Sequence, residues 1–167
     1  MAIKFNVYLL TLLFCLFSNM AMAVPAPYVA IMSELDFSKF LPITGSCEMD
    51  ITGIVTDLPG SQMCISSSDG SIAHYRLVAP INTDFSIQVN TRLPENSDGL
   101  TFTPVGKITS DVDDINIIPG QVYVVNSGLL GRIDIKFGGQ IIISNAFGPD
   151  MSHEIEMEAA ITWSQVP

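Results

Sequence analysis

The chain has 167 residues, with 17 acidic and seven basic side chains and a formal net charge of −10. This length suits one domain rather than two. The acidic balance argues against nucleic-acid binding, because the phosphates of a nucleic acid need Lys and Arg. The same charge makes adhesion to an anionic membrane unfavourable.

The first 23 residues have the three parts of a secretory signal peptide. Lys4 supplies a positive charge, an apolar run follows over residues 5–17, and Ala21-Met22-Ala23 forms an A-x-A cleavage site. The apolar run is too short to span a bilayer, and no basic stop-transfer cluster follows it. We therefore predict cleavage after Ala23 and no membrane insertion after the leader is removed.

Removal of this leader changes the cysteine count and the charge. Residues 24–167 keep six of the seven basic residues and all 17 acidic ones, so the net charge becomes −11. Cys15 is lost, and Cys47 and Cys64 remain. An even pair of cysteines in an exported protein predicts a disulfide. A cysteine-based metal site is the alternative, but neither His74 nor His153 has ligand spacing to a cysteine.

Alternation of apolar and polar residues is clearest near the C-terminus. One set of side chains is apolar and is predicted to face a core: Ile155, Met157, Ala159, Ile161 and Trp163. The intervening set is polar and is predicted to face water: Glu154, Glu156, Glu158, Thr162 and Ser164. The pattern predicts one long strand with a single wet face.

The same period of two predicts further strands. Their apolar positions are Met49 with Ile51 beside Cys47, Tyr75 with Leu77, Phe85 with Ile87 and Val89, Leu100 with Phe102, Val122 with Val124, Ile133 with Ile135 and Phe137, and Ile141 with Ile143. Gly138-Gly139 is predicted as a two-residue hairpin turn. No stretch has an apolar pattern typical of a helix. We predict an all-β, antiparallel Greek-key (immunoglobulin-like) sandwich over residues 35–167, preceded by an extended arm over residues 24–34.

Several segments together resemble a family of bacterial exported proteins of unknown function. An early L-x-F motif is present as Leu35-Asp36-Phe37, and a late block with paired glycines spans residues 133–141 (IDIKFGGQI). Residues 71–78 (SIAHYRLV) and 84–89 (DFSIQV) look like paired strands of that family. The final alternating strand, which ends at Trp163, takes the place of the family's closing strand. The likeness covers most of the chain after the leader.

Proteins of this kind look like pilin-type sandwiches and are similar to subunits of chaperone–usher fimbriae. The resemblance implies a non-enzymatic structural or accessory subunit of a bacterial cell-surface fibre. It implies export through the inner membrane to the periplasm, and then to the cell surface or the medium. The implied partners are other fimbrial subunits and a periplasmic chaperone and usher. The alternative is a monomeric secreted adhesin or binding module.

Two segments are candidates for assembly. The apolar residues of the N-terminal arm share one parity, namely Val29, Ile31, Leu35 and Phe37. They can complete the sheet of a neighbouring subunit, or they can form the first strand of their own domain. The last strand, with Ile155, Met157, Ala159, Ile161 and Trp163, is the candidate segment for a chaperone, although it is also an ordinary sandwich strand.

Candidates for metal binding and catalysis are weak. Asp111, Asp113, Asp114 and Asn116 offer oxygen ligands, but the run lacks the glycine and the distal glutamate of a calcium loop, so a solvated acidic turn is predicted. The serines of residues 66–68 precede a turn and form no G-x-S-x-G nucleophile elbow. We therefore predict no catalytic residues, no metal and no cofactor.

Overall fold

Ten strands form the framework of the protein in the computed structural model, which describes residues 25–37, 41, 43–65, 70–91, 99–145 and 160–167. No α-helix occurs within these ranges. The strands are β1 (Tyr28–Ser33), β2 (Gly45–Met49), β3 (Val55–Asp57), β4 (Ala73–Val78), β5 (Asp84–Val89), β6 (Leu100–Thr109), β7 (Asp114–Asn116), β8 (Val122–Asn126), β9 (Arg132–Ile143) and β10 (Ile161–Gln165). The predicted leader lies outside the described residues.

Strand β9 is the centre of a seven-stranded sheet. It pairs along one side with β6, from Ile143 opposite Leu100 to Asp134 opposite Thr109. Along its other side, β4 pairs with the first half of β9 and β2 pairs with the second half. The remaining three strands lie further out: β1 beside β4, β3 beside β2 and β7 beside β6. All of these pairings are antiparallel.

A smaller sheet has three strands in the order β10-β5-β8, also antiparallel. The apolar sides of both sheets contribute to one cluster of buried residues. Phe85, Ile87 and Val89 face it from the small sheet, and Ile133 and Ile135 face it from the large one. The predicted all-β class with antiparallel sheets around a shared core is therefore confirmed.

The predicted turn at Gly138-Gly139 is wrong, because β9 continues through both glycines. Neither position has room for a side chain. A Cβ on Gly138 would lie 2.3 Å from the carbonyl oxygen of Met49, and one on Gly139 would lie 2.4 Å from that of Thr103. The glycines therefore allow the backbones of β2 and β6 to come close to β9. Such a close approach of another backbone is one reason for a glycine inside a strand.

Two predicted apolar faces also differ from the structure. Val122 and Val124 lie in β8 as expected, but both are exposed, and Val125 is the buried residue of that strand. Ile51 does not continue the buried face of Cys47 and Met49, because β2 ends at Met49 and Ile51 lies in an exposed turn. For β8 the packing of the opposite sheet decides which face is covered, whereas for Ile51 the turn closed by hydrogen bonds to Asp50 ends the strand before the alternation can continue.

The predicted disulfide between Cys47 and Cys64 is present, with the two Cα atoms 5.7 Å apart. Both cysteines are buried, and they close a loop with a sequence separation of 17. The backbone N–H of Cys64 also donates to the carboxylate of Asp57 at 2.9 Å. The bond therefore attaches the segment after β3 to β2, beside the core.

Gly138→Ala tests the close approach of β2 to β9. We expect the variant to lose about 3 kcal/mol of unfolding free energy, because the new methyl group overlaps a backbone carbonyl that cannot move independently. Urea denaturation measures the loss. Gly60→Ala is the control, since Gly60 has a φ of +88° but no atom within 4 Å of a built Cβ; it should lose about 1 kcal/mol. Equal losses would contradict the close-approach explanation.

Reduction of the Cys47–Cys64 disulfide should lower the free energy of unfolding by about 3 kcal/mol, because the unfolded chain then gains the conformational freedom of the loop. The measurement is urea denaturation of the chain lacking residues 1–23, with and without dithiothreitol. A Cys47→Ala/Cys64→Ala variant is the control, and reductant should not change its stability. If the reductant does not change the urea midpoint of the wild type, the disulfide adds nothing to stability.

Candidate functional site

The N-terminal arm divides into two parts. Its first part is β1, in which Val29 pairs with Leu77 and Ile31 with Tyr75 of β4. The register between β1 and β4 shifts after Ile31, and β1 ends at Ser33, opposite His74 near the start of β4. In the second part Leu35 is partly buried and Phe37 lies in the core, with its ring 6.2 Å from that of Phe102 in an edge-to-face contact. Leu35 and Phe37 thus belong to the domain itself.

Strand β1 is an edge strand that contributes little to the core. None of its six residues is buried, whereas three of the six residues of β5 are. Ile31 and Met32 remain 47% and 50% exposed. Beside these residues, the hydroxyl of Ser33 donates to the carbonyl of Ile72 at 2.7 Å. The strand is therefore held mainly by backbone pairing with β4, and Val29 is its one side chain that packs against the core among the described residues.

Strand β10 contains part of the second segment that the sequence predicted as a candidate for assembly. It pairs with β5, and within the described residues it has no neighbour on its other side. Ile161 is buried, and Trp163 is partly buried with its ring 6.0 Å from that of Phe85. The other predicted residues of this strand, Ile155, Met157 and Ala159, lie outside the described residues.

An exposed apolar tip lies at one end of the sandwich, which the sequence analysis did not predict. Three loops contribute to it, between β4 and β5, between β6 and β7, and between β8 and β9. Its side chains are between 59% and 71% exposed: Ile81, Val112, Leu129 and Leu130. The signal in the sequence is Gly128-Leu129-Leu130-Gly131, because central turn positions usually hold polar residues or glycine.

Hydrogen bonds join the three loops of this apolar tip. Ser127 is fully buried, donates to the carbonyl of Pro80 at 2.6 Å and accepts from the N–H of Thr83 at 3.0 Å. The N–H of Leu129 donates to the carboxylate of Asp111 at 2.9 Å. The tip therefore presents its apolar side chains on a well-bonded backbone.

The acidic run does not form a metal cage. Asp111 accepts from Leu129, Asp113 accepts from the N–H of Asn126 at 2.8 Å, and Asp114 pairs with Lys107 at 2.9 Å. The three carboxylates thus serve separate partners, and Asn116 lies in β7. Among the described residues, the one group with metal-ligand spacing is Cys47, Asp57 and Cys64. Its two sulfur atoms form the disulfide, so it offers no thiolate for a metal.

A polar network lies on the outer face of the large sheet. One carboxylate oxygen of Asp134 contacts the Nε2 atom of His74 at 2.7 Å and accepts a hydrogen bond from Nε of Arg76 at 2.8 Å. All three side chains are partly buried, with exposures between 16% and 28%. Burial raises the pKa of Asp134, but the hydrogen bonds and positive charge of Arg76 and His74 outweigh it, so the pKa lies below its ordinary value.

Comparisons with family models, with curated proteins and with solved structures found no match to this chain. Among the described residues, no helix has the length and apolar character needed to cross a membrane.

Asp134→Asn tests the polar network. Because the folded pKa of Asp134 is lowered, its stabilisation is fully present above the ordinary Asp pKa of 3.8 and is lost as pH falls through the folded pKa. We expect the variant to lose about 1–2 kcal/mol of unfolding free energy near pH 7. The difference from wild type should shrink towards about pH 2.5, where urea denaturation is repeated.

Asp114→Asn is the matched control, because its ion pair with Lys107 is more exposed and should contribute less. A loss for Asp134→Asn that does not change with pH would contradict the electrostatic origin of the effect.

Proposed function

We propose that this protein is a secreted, non-enzymatic structural or accessory subunit of a bacterial cell-surface fibre, joined to its neighbours through the N-terminal strand. The observation that carries this proposal is the position of β1. It lies at an edge of the large sheet, is close to the N-terminus of the exported chain and buries none of its six residues.

Exchange of β1 between copies requires no contacts other than those already made within one chain. The same strand from a neighbour can make the same pairs with β4, for example Val29 with Leu77, in the manner of a swapped element. Since β1 adds little to the core, its departure leaves most of the apolar packing in place. Leu35 and Phe37 then remain in their own domain, and Glu34, whose carbonyl accepts from the Ser71 hydroxyl at 2.7 Å, serves as the hinge between them and β1.

The edge of β10, which has no neighbouring strand among the described residues, supports a second contact of such a subunit. In β10, Ile161 and Trp163 face inwards, while Thr162 and Ser164 are exposed. A periplasmic chaperone can add a strand beside an edge of this kind and protect it before assembly. The partners we propose are thus further fimbrial subunits, a chaperone and an usher.

The compartment we propose follows from the chemistry of the chain. The predicted leader directs export through the inner membrane to the periplasm and then to the cell surface or the medium. The Cys47–Cys64 disulfide suits that oxidising environment. The non-enzymatic assignment rests on the sequence, which has no motif that carries a catalytic mechanism.

The second candidate function is a monomeric secreted adhesin or binding module. The apolar tip (Ile81, Val112, Leu129 and Leu130) favours it, because exposed aliphatic side chains on well-bonded loops are typical of interaction sites. In that case β1 stays within its own chain, and the loops at the tip make the functional contact.

Deletion of residues 24–32 from the exported chain tests the fibre proposal. We expect the variant to form no polymers and to remain a folded monomer, because β1 contributes little buried surface. SDS gel electrophoresis without boiling measures polymers, and circular dichroism measures folding. Deletion of residues 25–27 alone is the control, since these residues precede β1 and form no strand; it should leave polymers unchanged.

Cross-linking separates exchange from pairing within one chain. Tyr28 lies opposite Val78, so Tyr28→Cys and Val78→Cys place thiols on paired positions of β1 and β4. Two variants that each carry one of these added cysteines, produced together, should form a disulfide-linked heterodimer if β1 is exchanged. If they remain monomers while the double variant cross-links internally, the fibre proposal is wrong and the monomeric module is favoured.

A further inference from the structure

We propose that the outer face of the large sheet binds an extended acidic polysaccharide. This inference goes beyond the fibre proposal, because it concerns a different surface and does not require assembly. It begins from the distribution of charge. Within the described residues, every Lys and Arg lies on this face, and they are Arg76, Lys107, Arg132 and Lys136.

These side chains occupy a continuous area, which we call the basic face. The register of β4, β9 and β6 places His74, Lys136 and Lys107 side by side in one row. A second row holds Arg76, Asp134 and Thr109, and a third holds Val78 and Arg132. Neighbouring strands lie about 5 Å apart, and four residues along a strand span about 13 Å. The cations therefore cover an area larger than one small anion.

The acidic groups of the basic face are too few to neutralise it. The carboxylates of this face among the described strand residues are Asp134, Asp114 and Glu48, which pairs with Gln140 four positions along β9 from Lys136, against four permanent cations. Asp134 accepts from the Nε of Arg76, so the terminal nitrogens of that guanidinium, with four of its five N–H donors, are not used by this contact. Arg132 and Lys136 are exposed and have no ion-pair partner among the described residues.

A local positive area can bind an anion although the whole chain is negative. At physiological ionic strength the Debye length is about 8 Å, so distant carboxylates are largely screened from a ligand lying on the face. The remaining acidic residues set the long-range repulsion, while Arg132, Lys136 and Lys107 set the contact energy. The cations that lie together on this face can therefore attract an anionic ligand that is in contact with it.

The type of polymer follows from the position of the face. The basic face consists of side chains in the middle of the sheet, so it offers a ligand no unpaired strand edge to which a peptide could add as a further strand. Hydroxyl and amide side chains adjoin the cations on the same face, namely Thr103, Thr109, Asn116 and Gln140. They match the hydroxyl groups of a sugar chain, and the cations match its carboxylates.

The test uses polygalacturonate and the exported chain lacking residues 1–23, with isothermal titration calorimetry at about 0.15 M salt. We expect Arg132→Gln/Lys136→Gln to weaken binding about tenfold, as expected for the loss of two exposed charge contacts. Thr162→Glu/Ser164→Glu is the matched control. It changes the net charge by the same amount, but on exposed positions of β10 in the small sheet, and should leave binding nearly unchanged.

Two results support the proposal: the selective loss just described, and tighter binding by Asp134→Asn, which removes a carboxylate from the face. Three results overturn it: no binding of polygalacturonate by the wild type, equal weakening by the two double variants, or stronger binding of polyglutamate than of polygalacturonate. The last result would identify the basic face as a site for acidic peptides. Monomeric protein suffices for all of these measurements, so their outcome is independent of fibre assembly.

Discussion

The large sheet depends on the close approach of three backbones along β9. Strand β6 pairs along one whole side of it, while β4 and β2 share the other side and meet beside Gly138 and Gly139. A Cβ at either glycine would overlap the carbonyl oxygen of Met49 or Thr103. Because these positions have no side chain, β9 remains one continuous strand and connects both halves of the sheet. This arrangement places four side chains of β2, β6 and β9 in the common core: Cys47, Met49, Phe102 and Ile141.

The unequal size of the two sheets determines which strands are covered by the opposite sheet. Seven strands oppose three, so the small sheet does not cover the outermost strands of the large one equally. Strands β4, β5 and β9 bury their inward residues completely, whereas β1 buries none. A strand held mainly by backbone hydrogen bonds can leave its sheet at a lower cost in apolar packing. This is the physical basis on which we propose an assembly role for the N-terminal strand.

Hydrogen bonds and ion pairs hold polar side chains in fixed positions on the surface. Asp134 holds His74 and Arg76 through one carboxylate oxygen, and the cations of β6 and β9 lie beside them. At the adjoining end of the sandwich, buried Ser127 and the carboxylate of Asp111 bond the loops that expose Leu129 and Leu130. The basic face and the apolar tip are therefore distinct surfaces, one with cationic and one with aliphatic side chains.

The sequence by itself determined the all-β class, the inward residues of β5 and β9 and the first inward residues of β6, because alternation with period two has a direct physical meaning in a strand. The disulfide was predicted from the even pair of cysteines. The sequence did not distinguish Gly138-Gly139 in a strand from the same pair in a turn, since glycine suits both and only the carbonyls of Met49 and Thr103 decide between them. It also misplaced Val122 and Val124, because which face of β8 is covered depends on the opposite sheet. The basic face arises from register alone: residues far apart in sequence, such as Arg76 and Arg132, become neighbours only when β4 and β9 pair.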